Sequence, residues 1–341
     1  MDPTTLRPVG RSGLKVTQFG YGSAPLSGFR DQIPELDAID TVIAAYEGGI
    51  RLFDSSPYYG YGRAELRVGA ALRDRPRGEF VLSTKIGRWL TAIPPGSSAP
   101  AGWRTGGVPF APTFDYSYDG VHKSLEQSML RLGMNRIDIV FIHDVDFWTI
   151  RDRALLDQRF RQAMEGAYKA LDELRRSGTI GAIGVGLNEA DMSARFVRSG
   201  DFDCVLLAGR YTLLEQGALA DFLPLCVERG VGVIIGGPLN SGILATGPRP
   251  GALYDYNAPP PAVEERVRRI QAVCERHNVP MPAAALQFPL GHPAVAAIIP
   301  GGKSRAEVTG NLELFRRPIP AALWAELRQE KLLDEAAPLP G

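Results

Sequence analysis

The chain has few cysteines, no long apolar run and no excess of either charge. Cys204, Cys226 and Cys274 are odd in number, widely spaced and set among apolar residues, which excludes a disulfide framework and makes them reduced, buried thiols. No stretch approaches the roughly 20 apolar residues that a membrane-crossing helix needs. Met1 to Leu6 holds no basic segment leading into an apolar one, so no signal peptide is expected and the chain reads as cytoplasmic. Lys+Arg and Asp+Glu number 38 each, which leaves no field to attract nucleic acid or an anionic membrane. The expected partner is a small molecule, and no metal is called for. Also missing is the Gly-x-Gly-x-x-Gly turn of a doubly wound dinucleotide fold: Gly20-Tyr21-Gly22-Ser23-Ala24-Pro25 has only the first two glycines and runs into a proline.

What is present is a regular alternation. Leu6–Val9 and Leu14–Val16 flank Gly10-Arg11-Ser12-Gly13 and predict a β-hairpin ahead of the main fold. Strands are then expected at Val16–Gly22, Arg51–Asp54, Phe80–Lys85, Ile137–His143, Thr179–Gly186, Cys204–Leu207, Val231–Gly236 and Val295–Ile299. Helices are expected between them, for example over Leu36–Gly48, Asp119–Leu132, Phe160–Arg176 and Ala262–His277, and two more, Ser304–Leu314 and Ala321–Leu333, end the chain. Ile137–His143 is almost continuously apolar, as a strand buried on both faces must be. Eight such units without a break in composition predict one α/β domain over residues 1–341, a (β/α)8 TIM barrel with an N-terminal hairpin and extra C-terminal helices. Residues 87–117, rich in proline, glycine and aromatics, read as a long loop and a candidate wall of a binding site.

In a barrel, Asp54, Lys85 and His143 end strands two, three and four, and Tyr59 follows strand two, so four polar groups meet at one mouth. A phenol with a pKa of about 10 is a poor base at neutral pH. A lysine ammonium about 4 Å away is worth roughly 4 kcal/mol at an effective dielectric of 20, equivalent to about 3 pKa units. Lys85 is therefore expected to activate Tyr59, with Asp54 anchoring Lys85 and a neutral His143 orienting a substrate oxygen. Each also has an ordinary reading, as a turn cap, a packed ring, a snorkelling lysine or a satisfied strand-end histidine. Four independent coincidences on one rim would be needed to sustain those.

The pattern Asp54-x-x-x-x-Tyr59-Gly60, Ser83-Thr84-Lys85 and Ile142-His143 resembles the catalytic tetrad of the aldo-keto reductase superfamily, and the resemblance covers nearly the whole chain. It implies a nicotinamide cofactor in the barrel mouth beside Gly22. Gly184-Val185-Gly186-Leu187-Asn188 is similar to the family's carboxamide-binding segment, which implies that Asn188 holds the nicotinamide amide, and Tyr211 matches the residue on which the ring stacks. Gly237-Pro238-Leu239-Asn240-Ser241-Gly242 resembles the pyrophosphate loop, with Pro238, Leu239, Ser241 and Gly242 against the phosphates. Ile299–Asn311 resembles the adenosine-binding segment, implying contacts from Gly301, Lys303, Arg305, Glu307 and Asn311. Members that prefer NADP carry a Lys-Ser pair and an arginine where this chain has Gly301-Gly302 and Glu307; a carboxylate repels a 2′-phosphate, so NAD is expected. Ser304-x-x-Glu307 is at the same time a capping box.

Phe114–Gly120, Ile142–Asp146 and Gly209–Leu214 are similar to the aldose 1-dehydrogenases that act on L-fucose, L-galactose or D-arabinose, and pyridoxal 4-dehydrogenases resemble the same segments. The implied reaction is oxidation of the C1 hydroxyl of a cyclic sugar to a lactone, with Tyr58, Trp89 and Trp148 as candidate walls of the sugar site. General aldehyde reduction is an alternative activity, and a cofactor-bound, non-catalytic interaction subunit is the alternative of another class.

Overall fold

The computed structural model describes residues 1–28, 32–97 and 108–340. Eight parallel strands make the central sheet: β1 (Tyr21–Gly22), β2 (Leu52–Asp54), β3 (Val81–Ile86), β4 (Ile139–His143), β5 (Ala182–Leu187), β6 (Cys204–Ala208), β7 (Gly232–Gly236) and β8 (Val295–Ile299). Each pairs with its neighbour in chain order. Parallel bridges Phe19 to Ile298 and Gly22 to Gly301 bring β8 back against β1, which makes the (β/α)8 barrel. The first expected strand is divided: Lys15–Thr17 pairs with Leu6–Pro8 in the N-terminal hairpin, and only Tyr21–Gly22 enters the barrel. The two closing helices are Arg305–Arg316 and Ala321–Gln329. No helix among the described residues is long and apolar enough to cross a membrane.

Side chains alternate across each strand, so every second residue points into the barrel. Leu52, Ile139, Phe141, Ala182, Cys204, Leu206, Ile234, Ala297 and Ile299 form the interior layers, and Val9 and Val16 of the hairpin close them from below. The other parity packs against the helices in a second, larger cluster. Carrying the inward parity up each strand leads from Leu52 to Asp54, from Ser83 to Lys85 and from Phe141 to His143. The register sets Asp54 beside Ser83, Lys85 beside Phe141 and His143 beside Gly186. The same alternation that fills the barrel with apolar groups thus crowns it with polar ones.

Local signals explain the layer outside. Ser117 caps the helix Tyr118–Leu132 by accepting from the Gly120 amide at 3.1 Å, and Gly133, at φ +64°, ends it in the left-handed conformation. Residues 87–117 are not a plain loop: Arg88–Ala92 and Phe110–Phe114 pair as an antiparallel hairpin, because β-branched and aromatic residues flank the proline-rich tip. Trp103, in that expected loop, lies outside the described residues. The three cysteines are free and buried.

The hairpin meets the barrel floor backbone to backbone. A Cβ on Gly232 would lie 2.5 Å from the Gly10 nitrogen, inside contact distance. Gly232→Ala is expected to cost about 1–3 kcal/mol by overpacking, whereas Gly310→Ala, with nothing within 4 Å of the new methyl, should stabilise its helix by roughly 0.5–1 kcal/mol. Urea unfolding of the two variants checks the contrast.

Candidate active site

At the C-terminal mouth lies a cleft of about 740 Å³, bordered by Asp54, Tyr59, Trp148, Asn188 and Arg210, by residues 236–242, and by Ile299, Pro300 and Gly301. Under it Lys85, 1% exposed, donates to Asp54 Oδ2 at 2.6 Å and to the Ser55 carbonyl at 2.9 Å. Asp54 also accepts from Ser83 Oγ at 2.7 Å. Burial pushes the Asp54 carboxyl up, and Lys85 and Ser83 pull it back down. The Lys85 ammonium stands 4.8 Å from the centre of the Tyr59 ring, and the His143 ring centre is 6.1 Å from that of Tyr59. The four side chains singled out in the sequence come together in one place.

The expected direction of the Tyr59 shift is corrected. Its pKa lies well above the ordinary value, because burial removes water from the phenolate and the carboxylates of Asp54 and Asp144 repel it, with Arg88 acting the other way. Lys85 meets Asp54 at 2.6 Å, so the phenol stands beside an ion pair rather than beside a lone cation. Tyr59 is therefore protonated at neutral pH. His143 is held neutral, its pKa driven well below the ordinary value by burial, Arg88 and Lys85.

Further corrections concern single side chains. Tyr211 is fully buried, its ring 5.4 Å from Phe288 and 5.7 Å from His292, and does not border the cleft. The chain leaves β6 at Ala208, Gly209 turns it at φ +67°, and Gly209 and Arg210 border the cleft while Tyr211 turns into the core against Phe288 and His292. Trp89 turns to Asp115, with Nε1 3.3 Å from Oδ2, and Lys123 covers its ring. Tyr58 lies against the Arg88 guanidinium, 4.2 Å from Cζ to the ring centre. Neither borders the cleft; of the three aromatic candidates Trp148 does, 6.2 Å from Tyr256 between ring centres. Arg305 also misses the cleft. It is bound by Asp40 Oδ1 and Oδ2, at 2.6 and 2.8 Å, and by Glu47 at 3.0 Å.

The remaining cofactor candidates border the cleft: Gly22, Asn188, Pro238, Leu239, Ser241, Gly242, Gly301, Lys303, Glu307 and Asn311. Their chemistry fits a dinucleotide. Bare backbone and glycine line the floor, where a Cβ on Gly22 would come within 2.9 Å of the Ile299 carbonyl, and amide side chains stand at either end. Asn188 is oriented by Asp144 Oδ1 at 3.3 Å and Asp146 Oδ2 at 3.0 Å. Only half of the expected capping box forms: the Glu307 amide donates to Ser304 Oγ at 3.2 Å, but the Glu307 carboxylate accepts from the Lys303 amide, one residue before the cap, at 2.9 Å.

Four groups at the site went unassigned in the sequence. Arg88 and Asp144 flank His143, and Arg210 grips Asp255 with both terminal nitrogens, at 3.1 and 2.9 Å. Asp144, Asn240, Ser241, Asp255 and Tyr256 hold positive φ without being glycine, a concentration of backbone strain around this mouth. Asp144 follows directly on His143 and Arg210 precedes Tyr211, so adjacency to the quoted motifs was the available signal.

Residues 18–331 match the family model described as the aldo/keto reductase family. The chain belongs to that family. It is 41% identical over 338 residues to pyridoxal 4-dehydrogenase of Microbacterium luteolum, covering 96% of this chain and 98% of that one. It is 38% identical over 328 residues to D-threo-aldose 1-dehydrogenase of a Pseudomonas species, covering 94% and 96%. The solved aldo-keto reductase AKR11C1 of Bacillus halodurans shares the fold with a TM-score of 0.74 at 22% identity, over 98% of both chains. The family's members are oxidoreductases that use nicotinamide cofactors.

Removing the buried cation tests how the site is held. Lys85→Met leaves Asp54 buried without its cation partner, and is expected to cost about 3–5 kcal/mol of stability. Lys85→Met combined with Asp54→Asn should recover most of that loss, as read from denaturant midpoints.

Proposed function

We propose that this chain, working as one domain, oxidises the C1 hydroxyl of a cyclic aldose of the L-fucose, L-galactose or D-arabinose type to the lactone, with NAD as cofactor. The observation that carries the reading is the placement of Tyr59 on the cleft, above the Asp54–Lys85 ion pair and beside a neutral His143. Bound in the cleft, NAD supplies the hydride acceptor. With that acceptor bound, Tyr59 would first give its proton to solvent and, as the phenolate, would take the C1 hydroxyl proton while C1 lost its hydride, leaving the lactone, the reduced cofactor and one released proton. His143 orients the reacting oxygen. Asn188, Ser241 and Asn311 would hold the cofactor over a floor of Pro238, Leu239, Gly242 and Gly301, a reading supported by their all bordering the cleft.

The preference for NAD is supported by Glu307, which borders both the cleft and an outer groove lined also by Asp37 and Lys303, and by Arg305, which is occupied by Asp40 and Glu47. A carboxylate at Glu307 disfavours the additional phosphate of NADP.

A second reading is favoured by the 41% identity to a pyridoxal 4-dehydrogenase and by the Trp148 and Tyr256 rings at the cleft, which suit a flat aromatic substrate. The two substrates have one chemical feature in common. An aldose and pyridoxal both carry an aldehyde that closes on a hydroxyl of the same molecule, so the oxidised group is a cyclic hemiacetal in each case and the bond changes are the same.

The test is turnover of L-fucose, L-galactose, D-arabinose and pyridoxal with NAD+ and with NADP+, followed by the absorbance of the reduced cofactor. Oxidation with NAD+ is expected to dominate and to accelerate as pH rises through the alkaline range, because the raised pKa keeps Tyr59 protonated at neutral pH and oxidation needs it deprotonated. Tyr59→Phe should abolish that turnover while NAD binding persists. Wild-type turnover in Tyr59→Phe would overturn the assignment, and no turnover of any hemiacetal or aldehyde would favour a non-catalytic subunit.

A further inference from the structure

Arg88 takes no part in the proton transfer just described, yet it is one of the largest fully enclosed side chains in the molecule, 2% exposed. It opens the hairpin Arg88–Ala92 immediately beyond β3. The preceding Gly87 has φ +106°, and a Cβ there would lie 2.2 Å from Tyr116 Cε1, so the turn that aims Arg88 over the barrel requires glycine. The guanidinium is clamped between two rings, its Cζ 4.2 Å from the centre of Tyr58 and 4.4 Å from that of Phe114. Ser124 Oγ fixes its carbonyl at 2.7 Å.

The two ends of the fork reach two different groups. Nη1 is 3.1 Å from His143 Nδ1, and Nη2 donates to Asp144 Oδ2 at 2.8 Å. A guanidinium has only donors, so Nδ1 must offer a lone pair and a neutral imidazole then carries its proton on Nε2. Ser56 Oγ, 3.3 Å from the same Nδ1, donates in the same sense. On the far side Nε2 is 3.4 Å from Asp144 Oδ1.

Resting on the reading of Tyr59 and His143 given above, we propose that Arg88 is a positioning residue that fixes His143 in the Nε2-protonated tautomer and ties back the Asp144 carboxylate. The Nε2–H is then the donor presented to the substrate oxygen. A lysine could supply charge there but not the two parallel donors. The groups facing the imidazole are Arg88 and Lys85, which oppose its protonation, Asp144, which favours it, and the Tyr59 and Ser56 hydroxyls. Without Arg88 the balance passes to Asp144. This assigns Tyr58 and Phe114 to holding the guanidinium rather than to touching substrate.

The test is 15N NMR of protein labelled at its four histidines, with His143 identified by the signal lost in His143→Gln. Wild type is expected to show an unprotonated Nδ1 and a protonated Nε2. In Arg88→Met that pattern should be lost, with kcat reduced about 10- to 100-fold, the range usual for removing the group that orients an acting histidine, and KM for NAD changed less than twofold. Arg88→Met with Asp144→Asn removes the uncompensated carboxylate and serves if the single variant does not fold. A folded variant that keeps the wild-type nitrogen shifts, or keeps kcat, overturns the proposal. The nitrogen shifts need no substrate, so absence of turnover on hemiacetals would defeat the functional reading while leaving this one to be decided by the spectra.

Discussion

The site depends on one buried ion pair. Lys85 and Asp54 meet at 2.6 Å with almost no exposure, and each would be untenable alone at that depth. Their pairing is what allows the inward parity of β2 and β3 to end in charge rather than in another apolar layer. The pair is braced by Ser83 on Asp54 and by the Ser55 carbonyl on Lys85, and its two charges act on different neighbours, Asp54 raising the Tyr59 phenol and Lys85 lowering the His143 imidazole. The phenol above it is therefore governed by burial and by the nearby carboxylates, and stays protonated.

That result changes the roles inferred for the four side chains more than their membership. A protonated Tyr59 is ready to donate to a carbonyl oxygen and must lose its proton before it can accept one from a hydroxyl. The neutral imidazole of His143 suits either direction in the proposed reaction, where it would donate to the oxygen and not act as a base. Two further ion pairs stabilise the rim: Arg88 with Asp144 beside His143, and Arg210 with Asp255 across the cleft, where the Arg210 Nε also bonds the Asn188 carbonyl at 2.9 Å. The strained backbone at Asp144, Ser241, Asp255 and Tyr256 lies among these contacts, which hold it in place.

The fold was legible because strand alternation and βα repetition are local signals, and His143 could be placed by counting up an apolar run. The four polar side chains were legible for the same reason, each ending or closely following a strand. What sequence reading missed was the course of the chain beyond the strand end. Tyr211 matched a motif by type, but after the turn at Gly209 it goes into the core. Trp89 was marked as aromatic in a proline-rich stretch, yet the β-hairpin pairing of that stretch, which turns Trp89 toward Asp115 and Lys123, is a tertiary fact that composition does not encode. Arg305 could not be read either, since its partners Asp40 and Glu47 lie more than 250 positions away in the chain.

The central claim is that C1 of a cyclic hemiacetal gives up a hydride in this cleft. L-fucose deuterated at C1, incubated with the protein and NAD+, tests it most directly by mass spectrometry of both products. The account predicts one deuterium in the reduced cofactor for each lactone formed, and none left at C1. Reduced cofactor without deuterium, or lactone that retains it, would contradict the account.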